Sequence, residues 1–179
     1  MALQGAFEEH RQVLERMGVE TFLIRNLADW HQPKQALIIP GGESTTMTRI
    51  MHDLGMWEEV REAISGGLPV LGTCAGLIML DRQHLATMDI LAKRNAYGRQ
   101  LGSFHTQGEL KGVGQVPMTF IRAPYIEAVG EGVQVLAKVD DKIVAAQYGK
   151  QLALAFHPEL DTGESTAVHE YFLRMCEDK

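Results

Sequence analysis

A chain of 179 residues is long enough for one domain with a substantial core, and its 45% hydrophobic and 22% charged content is ordinary for a globular protein. No apolar run approaches the roughly 20 residues of a membrane span, and MALQGAFEEH at the start has neither the basic nor the apolar region of a signal peptide. A net charge of −6 without a basic stripe argues against a nucleic-acid partner; two cysteines and seven scattered histidines argue against a disulfide framework or a zinc site, so a reducing cytoplasm is the expected compartment.

Phe7 to Met17 is predicted helical, because His10, Leu14 and Met17 recur at i, i+4 and i+7 with Val13 alongside, and Gly18 closes it. Thr21–Ile24 (TFLI) and Ala36–Ile39 (ALII) read as short strands. Thr45–Leu54 reads as a helix closed by Gly55, and Met56–Ile64 as another closed by Gly66-Gly67. LPVL (Leu68–Leu71) is a buried strand, and a helix begins over Ala75–Leu80. The second half is strand-rich, with ILAKR, MTFIR, VQVLAKV, IVAAQY and LALAF, before a closing helix marked by Val168, Phe172 and Met175. Strands alternating with helices predict a single α/β domain over 1–179: a doubly wound, mostly parallel sheet with an antiparallel extension, three-layered and flavodoxin-like.

Sites in such sheets lie beyond the carboxyl ends of the strands. That rule selects three loops: PGGES after ALII, GTCAG after LPVL, and HPEL after LALAF. Gly-x-Cys-x-Gly between a strand and a helix is the cysteine form of a nucleophile elbow. It puts Cys74 at a helix N-terminus, a setting that favours thiolate. A thiol nucleophile needs a base and the base an orienter, and His157 and Glu159 stand two residues apart, on one side of an extended backbone. In PGGES, adjacent glycines allow a backbone N–H to approach a bound group; with the N–H of Ala75 it forms a candidate oxyanion hole, while Ser44 is the expected helix N-cap. Cys176, in the last helix, is expected to pack or to lie at the surface. His10, His31, His52, His84, His105 and His169 show no partner in the sequence and are expected in solvated or capping roles.

Together these loops make an acyl-transfer site, and the sequence resembles the class I glutamine amidotransferases. ALQGAFEEH, IIPGGESTTM, GTCAGLIML, RNAYGRQLGSF, FIRAPYI and AFHPEL narrow the resemblance to the glutaminase subunits of the pyridoxal 5′-phosphate synthase complex, the PdxT/YaaE family. The resemblance implies hydrolysis of L-glutamine to glutamate and ammonia, with Cys74 as nucleophile, His157 as acid and base, Glu159 as its orienter, and Gly42 and Ala75 as oxyanion donors. It also implies that Gly42, Glu43, Ser44, Arg94, Ile121 and Arg122 line the glutamine site. No cofactor is implied, because pyridoxal phosphate would be the product of the complex. The implied partner is a (β/α)₈-barrel synthase subunit, with Gln4 near the interface. Relative to that family the strand before ALQGAF is mostly missing, which is expected to expose apolar surface, and Asp81–Met88 is short. Two alternatives stay open: the glutaminase of another biosynthetic amidotransferase, and an inactive regulatory subunit.

Overall fold

The computed structural model describes residues 1–94, 103–161 and 166–177. In chain order, helix α1 (Phe7–Arg16) and a single turn α2 (Leu27–Trp30) precede strand β1 (Leu37–Ile39). Helices α3 (Ser44–Asp53) and α4 (Trp57–Ser65) lead to β2 (Val70–Thr73) and the short α5 (Ala75–Leu80). Among the described residues seven strands follow: β3 (Ile90–Lys93), β4 (Ser103–Leu110), β5 (Gly114–Ile121), β6 (Tyr125–Val129), β7 (Gln134–Val139), β8 (Lys142–Tyr148) and β9 (Gln151–Leu154). A 3₁₀ turn over Pro158–Leu160 and helix α6 (Ala167–Glu177) complete the chain. Glycines close α1 and α3 as the sequence suggests, since Gly18 and Gly55 both take positive φ.

The main sheet has the order β1-β2-β9-β8-β6-β3, with β7 also paired to β8. β1, β2 and β9 are parallel, with Ile39 opposite Gly72 and Gly72 opposite Ala153. From β8 onward every pairing is antiparallel, so the extension foreseen from the sequence is larger than the parallel part. β4 and β5 form a separate two-stranded ribbon, in register from Ser103–Ile121 to Leu110–Gly114. β2 shows how the layers divide. Adjacent strand residues point to opposite faces. A Cβ on Gly72 would meet the carbonyl of Gly76 and the side chain of Leu80, so this face carries α5. The hydroxyl of the next residue, Thr73, meets His10, so the opposite face carries α1, with α6 reached through His169. The sheet between is fully buried at Ile39, Leu71, Leu152, Ala153 and Leu154.

Thr21–Ile24 is not a strand. A strand needs a ladder, and here only Ala2 lies alongside, donating its N–H to the Ile24 carbonyl at 2.8 Å. The Met1 amine donates in turn to the Ile38 carbonyl at 2.9 Å. Met1 and Ala2 thus sit between Ile24 and β1, and the expected exposure of apolar surface does not arise at Met1, Ala2 and Ile24, which are buried, while Phe22 is 37% exposed. β4 and β6 are strands that the sequence patterning did not reveal. β4 (SFHTQGEL) is mostly polar and packs on one face only, with alternate residues exposed.

Candidate active site

Cys74 joins β2 to α5 with φ 54° and ψ −105°, a backbone conformation that L-residues avoid. The strain is held by its surroundings. The Cys74 N–H donates to the Leu154 carbonyl of β9 at 2.7 Å, and its carbonyl accepts from Leu77 at 3.1 Å. Both glycines of GTCAG are required by close packing. A Cβ on Gly76 would overlap the Ile39 carbonyl, and one on Gly72 would lie 2.6 Å from the Gly76 carbonyl oxygen. Only a glycine pair lets α5 descend onto the sheet and lift the sulfur to its edge. The thiol is 7% exposed, 3.9 Å from the Ile121 carbonyl at the end of β5. As the first helical residue, Ala75 has an N–H with no intrahelical acceptor.

His157 follows β9, where its N–H donates to the Thr119 carbonyl at 2.8 Å. Its Nδ1 lies 2.5 Å from Glu159 Oε1, with both residues buried. The local backbone is not the extended stretch expected: Pro158 opens a 3₁₀ turn that holds Glu159, and the two side chains meet across that turn. Burial works against a charged imidazole here, yet hydrogen bonds to Cys74 and Glu159 and their negative charges outweigh it, raising the His157 pKa from 6.5 to about 10. The imidazole therefore sits against the carboxylate, with Cys74 near enough to act on its charge.

The PGGES loop closes the site from a third strand. A Cβ on Gly41 would collide with the His157 ring, and one on Gly42 would collide with the Gln4 amide oxygen. Gln4 Oε1 accepts from the Glu43 N–H at 2.7 Å, so Gln4 braces this loop. Glu43, not Ser44, caps α3: its carboxylate accepts from the N–H groups of Thr45 and Thr46 at 3.2 and 2.8 Å. Extended backbone at Glu43 lets its longer side chain fold back over the first turn, which leaves Ser44 as the buried first helical residue. Arg94 reaches the same helix start, donating to Thr45 Oγ1 at 3.2 Å. Ile121 overhangs the thiol, and the exposed Arg122 beside it has φ 44°. The sites foreseen on three loops thus converge. The rest of RNAYGRQ, from Asn95 on, and Thr162–Glu164 lie outside the described residues.

Three of the histidines, His31, His52 and His105, are exposed as expected but not without neighbours, whereas His10 and His169 are buried and correct the expectation of solvated side chains. His31 pairs with Glu59 at 3.0 Å, His52 stacks on Trp57, and His105 lies 2.9 Å from Thr119 Oγ1. His84 Nδ1 lies 2.7 Å from the buried Asp81, with Arg94 3.5 Å from its Nε2. His10 and His169 are 2% and 1% exposed and touch each other at 2.9 Å. The missed signal was their place among apolar residues on the inner faces of α1 and α6, where a buried imidazole requires a partner. Cys176 packs against the core, and burial raises its thiol pKa. Among the described residues no group of three or more His, Cys, Asp and Glu side chains could hold a metal.

A mixed sheet whose parallel strands carry a cysteine elbow, with a His–Glu pair after the neighbouring strand, defines the class I glutamine amidotransferase architecture. Solved structures agree. A crystal structure of a glutamine amidotransferase matches with TM-score 0.90 and 40% identity, covering 98% of this chain and 96% of that one. A glutamine amidotransferase from Thermotoga maritima shares the fold, with TM-score 0.62 at 13% identity over 97% of this chain and 81% of that one. The chain belongs to the SNO glutamine amidotransferase family, whose pattern spans residues 1–178. The pyridoxal 5′-phosphate synthase subunit PdxT of Streptococcus pneumoniae strain Spain 23F-1 is 53% identical over 189 residues, covering all of this chain and 97% of that protein.

Proposed function

We propose that this chain hydrolyses L-glutamine to L-glutamate and ammonia, and that it supplies the ammonia to the synthase subunit of a pyridoxal 5′-phosphate synthase. The observation that carries the chemistry is Cys74 in its elbow, beside an imidazole whose Nδ1 is 2.5 Å from Glu159. The Cys74 thiolate attacks the side-chain carbonyl carbon of glutamine. The N–H groups of Gly42 and Ala75 receive the oxyanion, a contribution of about 2.7–4 kcal/mol per donor in such sites. Protonated His157, hydrogen-bonded to Glu159 through Nδ1, gives its proton to the departing nitrogen. Ammonia leaves and a γ-glutamyl thioester remains. Neutral His157 then takes a proton from water, which attacks the thioester and releases glutamate and the thiolate. Glu159 keeps the ring turned and its Nδ1 protonated throughout.

Arg94 and Arg122, at the two rims of the site, bind the α-carboxylate, a group that suits the planar guanidinium. Glu43, Ser44 and Ile121 complete the glutamine pocket. The partner is a (β/α)₈-barrel synthase subunit, and Gln4, which braces the oxyanion loop, couples docking to the site. Two unpaired cysteines suit a reducing cytoplasm.

The test is glutamate release from glutamine by the chain mixed with the synthase subunit, with Cys74→Ala as control. Turnover that survives Cys74→Ala overturns the mechanism. A glutamine-derived electrophile labels Cys74 and spares Cys176; labelling confined to Cys176 contradicts the assignment. Turnover only with a different synthase moves the chain to another biosynthetic route, and binding without turnover favours a regulatory subunit.

A further inference from the structure

Two buried histidines stand behind Glu159, away from the thiol. His10 of α1 has Nε2 3.3 Å from Glu159 Oε2 and 3.2 Å from Thr73 Oγ1. Its Nδ1 lies 2.9 Å from Nε2 of His169 on α6. Glu159 Oε1 is engaged by His157, whereas Oε2 is completely buried and makes no hydrogen bond among the described residues. The polar edge of His10 faces it at ion-pair distance, while the hydrogen bond of His10 Nε2 goes to Thr73.

The chemistry fixes the direction of the chain. A carboxylate oxygen accepts and does not donate, so the His10 nitrogen facing it carries the proton, which is directed to the Thr73 hydroxyl with Oε2 beside it at ion-pair distance. Nδ1 of His10 is then an acceptor, and His169 Nε2–H donates to it. Both imidazoles stay neutral, as this arrangement requires. Burial, with the neighbouring His169 and His157, holds His10 well below the ordinary imidazole pKa. Burial, with Arg16, lowers His169 from 6.5 to about 4. The terminal torsion of a glutamate is broad, so one hydrogen bond leaves its plane free to swing. The N–H edge of His10, 3.3 Å from Oε2, favours the one orientation that keeps the oxygen beside it.

We propose that His10, held in one tautomer by His169, is a positioning residue for glutamine hydrolysis: it locks the carboxylate plane of Glu159 and so aims His157 at Cys74. This role presupposes the proposed glutaminase function. His10 touches no substrate; it acts through Glu159, and His169 acts through His10. A hydrophobic residue in place of His10 fills the space but leaves the buried charge of Oε2 with no polar edge beside it.

The test uses the full chain with its synthase partner and compares His10→Leu, which removes the donor, with His10→Gln, which keeps one. His10→Leu is expected to lower kcat roughly ten- to a hundredfold, as loss of an outer hydrogen bond does at metal-bound histidines. KM for glutamine stays within about twofold, and His10→Gln recovers most of the loss. In a Glu159→Gln background His10→Leu is expected to cost nothing further, because its route to the site is already cut. Wild-type kcat in His10→Leu, or losses that multiply in the double variant, overturn the proposal.

Should His10→Leu fail to fold, His169→Leu and His169→Gln are compared through the low-field proton resonance of His157 Nδ1–H. The resonance is expected to shift or broaden in His169→Leu and to persist in His169→Gln; an unmoved resonance in His169→Leu overturns the proposal. If the wild-type chain releases no glutamate, it is the glutaminase function that fails, and the same resonance still decides whether His10 and His169 reach His157.

Discussion

The imidazole of His157 rests on the backbone of Gly41. A Cβ at position 41 would run into Cε1 and lie 3.0 Å from Nδ1. The ring has no cheap retreat, because Nδ1 is tied to Glu159 at 2.5 Å and the His157 N–H to Thr119 at 2.8 Å. PGGES is therefore more than a turn with free donors: its first glycine is the floor under the base.

Gly41→Ala is expected to push the ring off its line to Cys74. A displacement of about 1 Å costs roughly 100-fold in rate. Steady-state glutamate release should show that loss in kcat with KM nearly unchanged, and thermal melting should show a folded protein. Wild-type kcat in this variant would mean the ring does not need its observed position.

Cys74 is expected to be worse for stability than glycine in the same place. Its φ of 54° and ψ of −105° cost an L-residue about 1–3 kcal/mol. Cys74→Ala keeps the strain and Cys74→Gly relieves it. Both variants are inactive, but the glycine one should melt higher, by about 2–4 °C for each kcal/mol relieved in a chain of this size. Calorimetry of the pair checks this; an alanine variant equal to the glycine one would show that the elbow is unstrained.

His169 makes stability depend on pH with a definite sign. Its pKa is about 4 in the folded chain against an ordinary 6.5. Between those values the unfolded chain binds a proton that the folded one refuses. The contribution is thus complete above about pH 6.5 and is lost as pH falls toward 4, at about 1.4 kcal/mol per pH unit at full slope. His10, lowered in the same direction, steepens the fall. Urea unfolding between pH 4 and 7 should be flatter for His169→Gln than for wild type; identical slopes would show that His169 titrates normally.

The site was legible where chemistry imposes a local pattern. GTCAG carries its reason in itself, since two glycines around a cysteine between a strand and a helix have few other uses. HPE gave the right pair, although the backbone between them is a 3₁₀ turn and not extended. α1, α3 and α4 were readable to within about two residues because apolar spacing and closing glycines both mark them, whereas the single turn α2 was not read. What stayed hidden depends on contacts between distant segments. Glu43 replaced Ser44 as the cap because Gln4, 39 residues earlier, holds the loop extended. TFLI has the composition of a strand but finds one hydrogen-bond neighbour, Ala2, in place of a ladder. His10 and His169 are 159 residues apart, and no sequence pattern announces that their helices touch.

Arg94 depends on a similar unseen support. Asp81, at the end of α5, accepts from the Ala92 N–H at 3.1 Å and from His84 Nδ1 at 2.7 Å. With its proton on Nδ1, His84 presents a bare Nε2, and the Arg94 guanidinium lies 3.5 Å from it while donating to Thr45 Oγ1 at 3.2 Å. The guanidinium is thereby aimed at the start of α3, beside the PGGES loop. If Arg94 binds the α-carboxylate of glutamine, its contact is made equally before and during the reaction. Arg94→Ala should then raise KM for glutamine tenfold or more, the effect of a charge-assisted hydrogen bond of about 1.5–3 kcal/mol, with kcat nearly unchanged. Arg94→Lys should recover part, because it keeps the charge without the fork. His84→Ala should raise KM less, since Thr45 still holds one side of the guanidinium. Steady-state kinetics of the three variants decides the matter: a fall in kcat as large as the fall in kcat/KM would mean that Arg94 acts on the transition state, and an unchanged KM in Arg94→Ala would remove it from the glutamine site.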